Sequence, residues 1–331
     1  MSGSLKRQLG RLGNRSLDLL FVSPFDPLWR RRCSGRIHCL LYHRVDEPGR
    51  APVLDRFGVP PIPPAALESE LAFLRRQGVL FLTFADLLAG TFPALHQPGV
   101  IVCFDDGLRD NYTHGLAVLE RLGIPATFFQ STALIDADRP IWEHLLYWHG
   151  AEPRRATDLA AAARRRLPAA AAVPEAEMVV FLRERCSWAE LEPLLADLGD
   201  GAAAAAEICP HYPTAADVRR ARDAGHEIGS HGHHHLPRRA LDAAGFEREL
   251  VRSLDMLESV LGDRPTSFSY PFDSRLPGDA EICARHVQQV ATVAGQPITR
   301  ASSPLALPRF TWPGPHRSPL HRRRWLWRGR L

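Results

Sequence analysis

The stretch Gly99-Val100-Ile101-Val102-Cys103-Phe104-Asp105-Asp106-Gly107 opens with six uncharged residues and closes on two carboxylates and a glycine. An apolar run of this kind suits a central parallel strand, because such a strand is covered on both faces. Downstream, Leu116, Leu119 and Leu122 recur at helical spacing and Gly123 stops them. Ala126-Thr127-Phe128-Phe129 then reads as another strand. Strand, helix and strand in that order predict an α/β sheet with parallel pairing.

The same rhythm extends both ways. Ile37 to His43 reads as a buried strand ending in polar residues and closed by Asp46-Glu47-Pro48-Gly49. Pro63-Pro64 stand just ahead of a helix bearing Leu67, Leu71 and Leu74, which Gly78 ends. Residues 150–206 break the pattern. They are rich in Ala and Arg, poor in strand signals, and read as a helical insertion rather than a separate domain. The rhythm resumes with a helix near Asp217 to Ala224, then Glu227-Ile228-Gly229-Ser230 leading into His231. A helix with Phe246, Leu250, Leu254 and Leu257 on one face follows, then Ser267 to Phe272, and a last strand-like piece near Leu305 to Phe310. No internal repeat is apparent.

The chemistry lies at the ends of these strands. His231 and His235 are four apart and can reach one ion from a single turn. In α/β sheets, functional groups gather at the carboxyl ends of strands, which is where Asp105 and Asp106 stand. Neutral imidazole plus carboxylate suits Zn²⁺ first, with Co²⁺, Ni²⁺ or Mn²⁺ also accommodated. Two adjacent carboxylates cannot point the same way in an extended chain. A turn at Gly107 lets one bind the ion while the other faces a water on it. An ion acidifies that water and polarises a carbonyl, and the free carboxylate takes the proton. Asp-Asp-Gly alone is an ordinary turn; its place after a buried strand, with histidines after another, is what points to a site. His233 and His234 are expected to face solvent. Trp142 suits either the apolar face of a sugar or core packing.

The 331 residues, 45% of them hydrophobic and 24% charged, suffice for one large α/β domain with extensions. No run is long and apolar enough to span a bilayer. Leu19-Leu20-Phe21-Val22 is too short for a signal-peptide core, so no export signal is read. The six cysteines are scattered with no CxxC pair, as for buried or incidental thiols in a reducing compartment. The expected location is cytoplasmic or peripheral to the inner membrane. The net charge of +4 is concentrated at the two ends, in a basic arm (1–36) and an Arg/Trp tail (311–331). The tail, with Arg322-Arg323-Arg324-Trp325-Leu326-Trp327, is suited to an anionic membrane surface. No recognition motif accompanies the charge, which speaks against nucleic acid.

Three stretches together resemble the polysaccharide deacetylase family, the NodB-homology group of carbohydrate esterases. They are Val102 to Gly107, Gly229 to His235, and Phe268-Ser269-Tyr270-Pro271-Phe272-Asp273. Leu119 to Phe129 is similar to the family's segment after its Asp-Asp-Gly motif. The resemblance covers about residues 37–310 and implies a distorted (β/α) barrel, here with the helical insertion. It implies Asp105 as catalytic base and Asp106, His231 and His235 as metal ligands. Tyr270, Pro271 and Phe272 become a groove wall, with the Phe272 N–H facing the developing oxyanion.

The chain also departs from the family pattern. Ser269 stands where an Arg is common and Asp273 where a Gly is common, and Leu305 to Phe310 lacks the usual late His. One branch of the family is circularly permuted, with the His-bearing strand first. Leu40-Leu41-Tyr42-His43-Arg44-Val45 is similar to that strand, so the resemblance implies the permuted branch with His43 as general acid. Arg309 is the substitute for the absent Arg that orients Asp105. The expected activity is metal-dependent removal of acetyl groups from N-acetylated sugars of a glycan or lipid-linked precursor. The same apparatus would serve an O-acetyl ester or a small amide, and a catalytically silent glycan-binding protein is the non-enzymatic alternative.

Overall fold

The computed structural model describes residues 33–56, 60–198 and 201–311. Within them, eight strands form one sheet in which every strand pairing is parallel. The strands are β1 (Ile37–Tyr42), β2 (Leu80–Leu82), β3 (Gly99–Phe104), β4 (Thr127–Gln130), β5 (Glu227–Ser230), β6 (Ser267–Ser269), β7 (Gln289–Val293) and β8 (Leu307–Thr311). Seven of them close a ring in the order β1-β8-β7-β6-β5-β4-β3, which β3 completes by pairing with β1. β2 lies on the first half of β3, opposite Gly99 to Ile101, and β4 takes over at Cys103 and Phe104. The expected (β/α) barrel is thus present. The sequence reading did not include β2 or β7.

Side chains alternate across each strand, which sorts the apolar residues of the barrel into two sets. Val100, Val102 and Phe104 of β3 and Leu40 and Tyr42 of β1 face outward to the helices. Leu67, Leu71 and Leu74 of the helix Pro64–Arg76 meet them, as do Leu116, Leu119 and Leu122 of the helix Leu116–Leu122. Each of these fully buried leucines contributes about 1.5–3 kcal/mol. Gly123, at φ 60°, ends the second helix as expected. The other parity (Ile37, Cys39, Leu41, Ile101, Cys103, Phe129, Ala291, Leu307) fills the barrel's interior. That interior is tight at Gly229, where a Cβ would lie 2.6 Å from the Ser267 Oγ and 2.7 Å from the Phe129 ring.

This inward parity, continued past the strand ends, selects the site. Residues 37, 39 and 41 lead to His43, and 101 and 103 lead to Asp105. Gly229 leads to His231, Ser267 to Ser269, and Leu307 to Arg309. All five polar side chains therefore arrive above one packed barrel, at its carboxyl-terminal mouth.

Between β4 and β5 lie the helices α5 (Trp142–Gly150), α6 (Pro153–Arg166), α7 (Met178–Arg185), α8 (Trp188–Ala196), α9 (Gly201–Ile208) and α10 (Ala215–Asp223), numbered after the four helices that precede them (Pro52–Asp55, Pro64–Arg76, Phe84–Leu88 and Leu116–Leu122). The helices from α5 to α8 share an apolar cluster containing Trp142, Leu146, Leu159, Leu182, Leu191 and Leu194. α11 (Ala243–Leu261) buries Phe246, Leu250, Leu254 and Leu257 on the expected face. Five of the six cysteines are buried and Cys209 is half-buried. No helix among the described residues is long and apolar enough to cross a membrane. Most of the basic arm and all but the first residue of the basic tail, with the membrane attraction assigned to it, lie outside the described residues.

Candidate active site

The Asp-Asp-Gly triplet turns as the chemistry requires. Asp106 has φ 69° and Gly107 φ 78°, both left-handed. The turn sends the Asp105 carboxylate over the barrel and Asp106 toward the histidine loop. Gly107 has no alternative, because a Cβ there would sit 2.2 Å from the Gln130 Oε1. His235 (φ 57°), Phe272 (φ 58°) and Asp273 (φ 49°) share this uncommon conformation. Among the described residues, four of the five non-glycine residues with positive φ therefore line one cavity of about 450 Å³. Strain of this kind, about 1–3 kcal/mol per residue, concentrates at functional sites.

Asp106, His231 and His235 bring three donor atoms within 4.8 Å of one another. The His231 Nε2 lies 3.5 Å from the Asp106 Oδ1, and the His235 Nε2 lies 3.2 Å from the same oxygen. Each ring is oriented through its other nitrogen. The His231 Nδ1 donates to the Ser269 carbonyl at 2.8 Å, and the His235 Nδ1 donates to the Glu143 carboxylate at 3.1 Å. Both Nε2 atoms are thereby turned to the common point, where on losing a proton each would offer a lone pair, so the donor set fits a divalent ion of the zinc type with positions left for water and substrate. Burial disfavours the Asp106 charge, but hydrogen bonds from His231 and His235 hold its carboxyl well below the ordinary range. Burial likewise opposes charge on His235, yet Asp106 and Glu143 together raise it to about 10.

Asp105 stands beside this triad and outside it, with its Oδ2 3.8 Å from the His231 Nε2. It is gripped from the far side. The Arg309 Nη1 donates to Oδ1 at 2.6 Å and Nη2 to Oδ2 at 2.9 Å, a bidentate fork. Nη2 also donates to the Ser269 Oγ at 2.7 Å, and Ser269 reaches Oδ2 at 3.4 Å. Burial pushes the Asp105 carboxyl up, and the Arg309 charge, with that of His231, outweighs it and holds the carboxyl below its usual value. Arg309 thus bridges the Asp105 carboxylate and the Ser269 hydroxyl.

The other expected residues are distributed as follows. His43, half-buried just after β1, lines the cavity with Asp105, Asp106, His231 and His235. Tyr270 and Phe272 line it too, the Phe272 ring packing 4.7 Å from that of His235. Pro271 is buried between them. Trp142 does not present a sugar-binding face. It is 3% exposed, packs in the helical cluster, and its indole N–H donates to the His235 carbonyl at 3.2 Å. His233 is also not solvated. Its Nδ1 bonds the Thr132 hydroxyl at 2.8 Å and the ring is buried, because the histidine turn is pulled against the segment after β4 by backbone bonds. His234 is half-buried, bonded to Glu249 and stacked on Trp188. The sequence reading missed Glu143 and Arg44. Arg44 lines the cavity beside His43, held by Asp55 at 2.8 Å and Asp110 at 3.2 Å.

The side chains of His43, Asp105, Asp106, His231, His235 and Arg309 are thus gathered at the mouth of a closed parallel barrel. Residues 93–279, more than half of the chain, match the family model for polysaccharide deacetylase, and the chain belongs to the polysaccharide deacetylase family. The family's chemistry is hydrolytic deacetylation of sugars. No curated protein matches the chain by sequence. Solved structures share its fold at low identity. A Streptococcus pyogenes deacetylase, PplD, in complex with acetate is 15% identical, with a TM-score of 0.57 over 90% of this chain and 99% of that one. IcaB from Ammonifex degensii is 18% identical, with a TM-score of 0.55 over 88% and 97%. A polysaccharide deacetylase from Bacillus cereus is 15% identical, with a TM-score of 0.56 over 89% and 69%.

Proposed function

We propose that this protein removes acetyl groups from the nitrogen of N-acetylated hexosamines in a glycan or a lipid-linked glycan precursor. Asp106, His231 and His235 would hold the ion, Zn²⁺ before Co²⁺, Ni²⁺ or Mn²⁺. When bound, that ion supplies Lewis acidity to the acyl oxygen and acidifies water beside it. Asp105 takes the proton from the attacking water. Arg309 keeps Asp105 ionised and fixes the plane of its carboxylate. The Phe272 N–H faces the oxygen on which charge develops. Tyr270 and Pro271 support that wall. His43 gives a proton to the departing nitrogen, so amine and acetate leave as separate products.

The observation that carries the reading is the division between the two adjacent carboxylates. Asp106 sits among the histidines, while Asp105 is held apart by a bidentate guanidinium. A structural metal site would have no use for the second arrangement. His43 favours an amide over an ester, since an amine leaving group needs the proton more. Its position just after β1, a strand ahead of β3 in the chain and beside it in the barrel, supports the permuted arrangement.

The test is acetate release from N-acetylglucosamine oligomers by the purified chain with Zn²⁺ or Co²⁺ added. Asp105→Asn should lower the rate by about 10²–10⁴-fold while metal binding persists. Equal rates in the variant, or no release from a metal-loaded wild type, would refute the assignment.

A further inference from the structure

Consecutive residues at the start of α5 hold one histidine at two points. The Trp142 indole donates to the His235 carbonyl at 3.2 Å, and the Glu143 carboxylate accepts from the His235 Nδ1 at 3.1 Å. His235 needs such holding, because its φ of 57° is unfavourable for a residue with a Cβ. Its counterpart His231 is oriented differently, by a neutral backbone carbonyl. Among the described residues, the carboxylate that accepts from a ligand ring's Nδ1 therefore comes from a helix of the segment between β4 and β5 and not from a barrel strand end.

We infer that Glu143 is a positioning residue for the metal, fixing the His235 tautomer and adding the negative charge that completes the site. This rests on the metal reading of Asp106, His231 and His235. A ring that donates through Nδ1 has its lone pair on Nε2, and a carboxylate acceptor makes that lone pair more basic than a carbonyl does. Charge balance leads to the same residue. Asp105 and Arg309 cancel as a buried pair. Arg44, Arg183 and Asp273 also line the cavity but are paired with Asp55, Glu184 and Arg275, so Asp106 and Glu143 are the two negative charges at the histidine rings, matching one divalent cation. Glu143 is 7% exposed, so its charge is poorly served by water and is balanced by what lies beyond the imidazole. The helical segment is in consequence part of the metal centre.

The experiment titrates Co²⁺ into the chelator-stripped full-length chain and follows the visible d–d absorption, with Zn²⁺ measured by competition. Wild type, Glu143→Ala and Glu143→Gln are compared. Glu143→Ala is expected to weaken the Co²⁺ Kd by about 10–100-fold, with Glu143→Gln between it and wild type because it keeps an acceptor and loses the charge. A Kd for Glu143→Ala within threefold of wild type overturns the inference while leaving the metal reading intact. Should Glu143→Ala fail to fold, the isosteric Glu143→Gln decides: a loss beyond threefold supports the role, and an unchanged Kd refutes it. A wild-type chain that takes up no metal overturns both readings.

Discussion

Arg309→Met removes the guanidinium and leaves the Asp105 carboxylate buried with only a hydroxyl at 3.4 Å and an imidazole at 3.8 Å. Both partners are almost wholly buried, at 1% and 5% side-chain exposure, so solvent cannot replace what is lost. Removing one member of a buried pair costs about 3–5 kcal/mol, mostly the penalty of the stranded charge. The entropy of unfolding scales to roughly 0.7 kcal/mol/K for 331 residues, so Tm should fall by roughly 4–7 °C. The assay is urea unfolding with chelator present, since a bound cation would stand in for the missing charge. The double variant Asp105→Asn/Arg309→Met separates pair from parts: with neither charge stranded, it should recover more than half of the loss. An Arg309→Met chain within about 1 kcal/mol of wild type, at unchanged m, would refute the view that this ion pair fixes the base.

Gly107→Ala should cost about 2–4 kcal/mol, combining a left-handed φ of 78° with a clash against Gln130. Gly123→Ala, at φ 60° with nothing within 4 Å, should cost only about 1 kcal/mol, and equal losses in urea unfolding would contradict the packing account. His38 faces outward from β1 against the Phe310 ring, and neither ring nitrogen has a hydrogen-bond partner among the described residues. Burial, with the Arg36 charge, lowers its pKa to about 4 from 6.5. A depressed histidine stabilises the fold fully above pH 6.5 and loses that contribution as pH falls toward 4. The loss is about 3 kcal/mol. His38→Leu should flatten the stability profile across that window by this amount, and an unchanged profile would count against the assignment. Zn²⁺ at about 100 times its Kd should stabilise the wild type by about 2.7 kcal/mol; His231→Ala should abolish the gain in a thermal scan.

Much of the site was legible because it is local. The Asp-Asp-Gly turn follows from a buried strand meeting a glycine, and two histidines four apart announce themselves. Arg309 was reachable only through the gap at Ser269, since 204 residues separate it from Asp105. Glu143 had no such pointer. It sits 92 residues before His235, ahead of the 150–206 stretch read as helical and in no motif. β2 is three residues long and β7 carries no turn chemistry strong enough to mark it. His233 was misjudged and Trp142 left open between two readings for one reason: local polarity or aromaticity does not reveal which side of a turn another element will cover.

The pairing of β1 with both β3 and β8 also sets an order of events during synthesis. Leu40 lies beside Phe310 and Ile37 beside Gly99, so the ring cannot close before β8 has been made. At about 5–20 residues per second, the 204 residues between Asp105 and Arg309 take roughly 10–40 s to translate. For the last part of that interval, after His235 has been made, the histidine turn and the two carboxylates can already exist while Asp105 has no guanidinium to hold it. A nascent chain halted between residues 235 and 309 would therefore hold both histidines and both carboxylates without the guanidinium that grips Asp105.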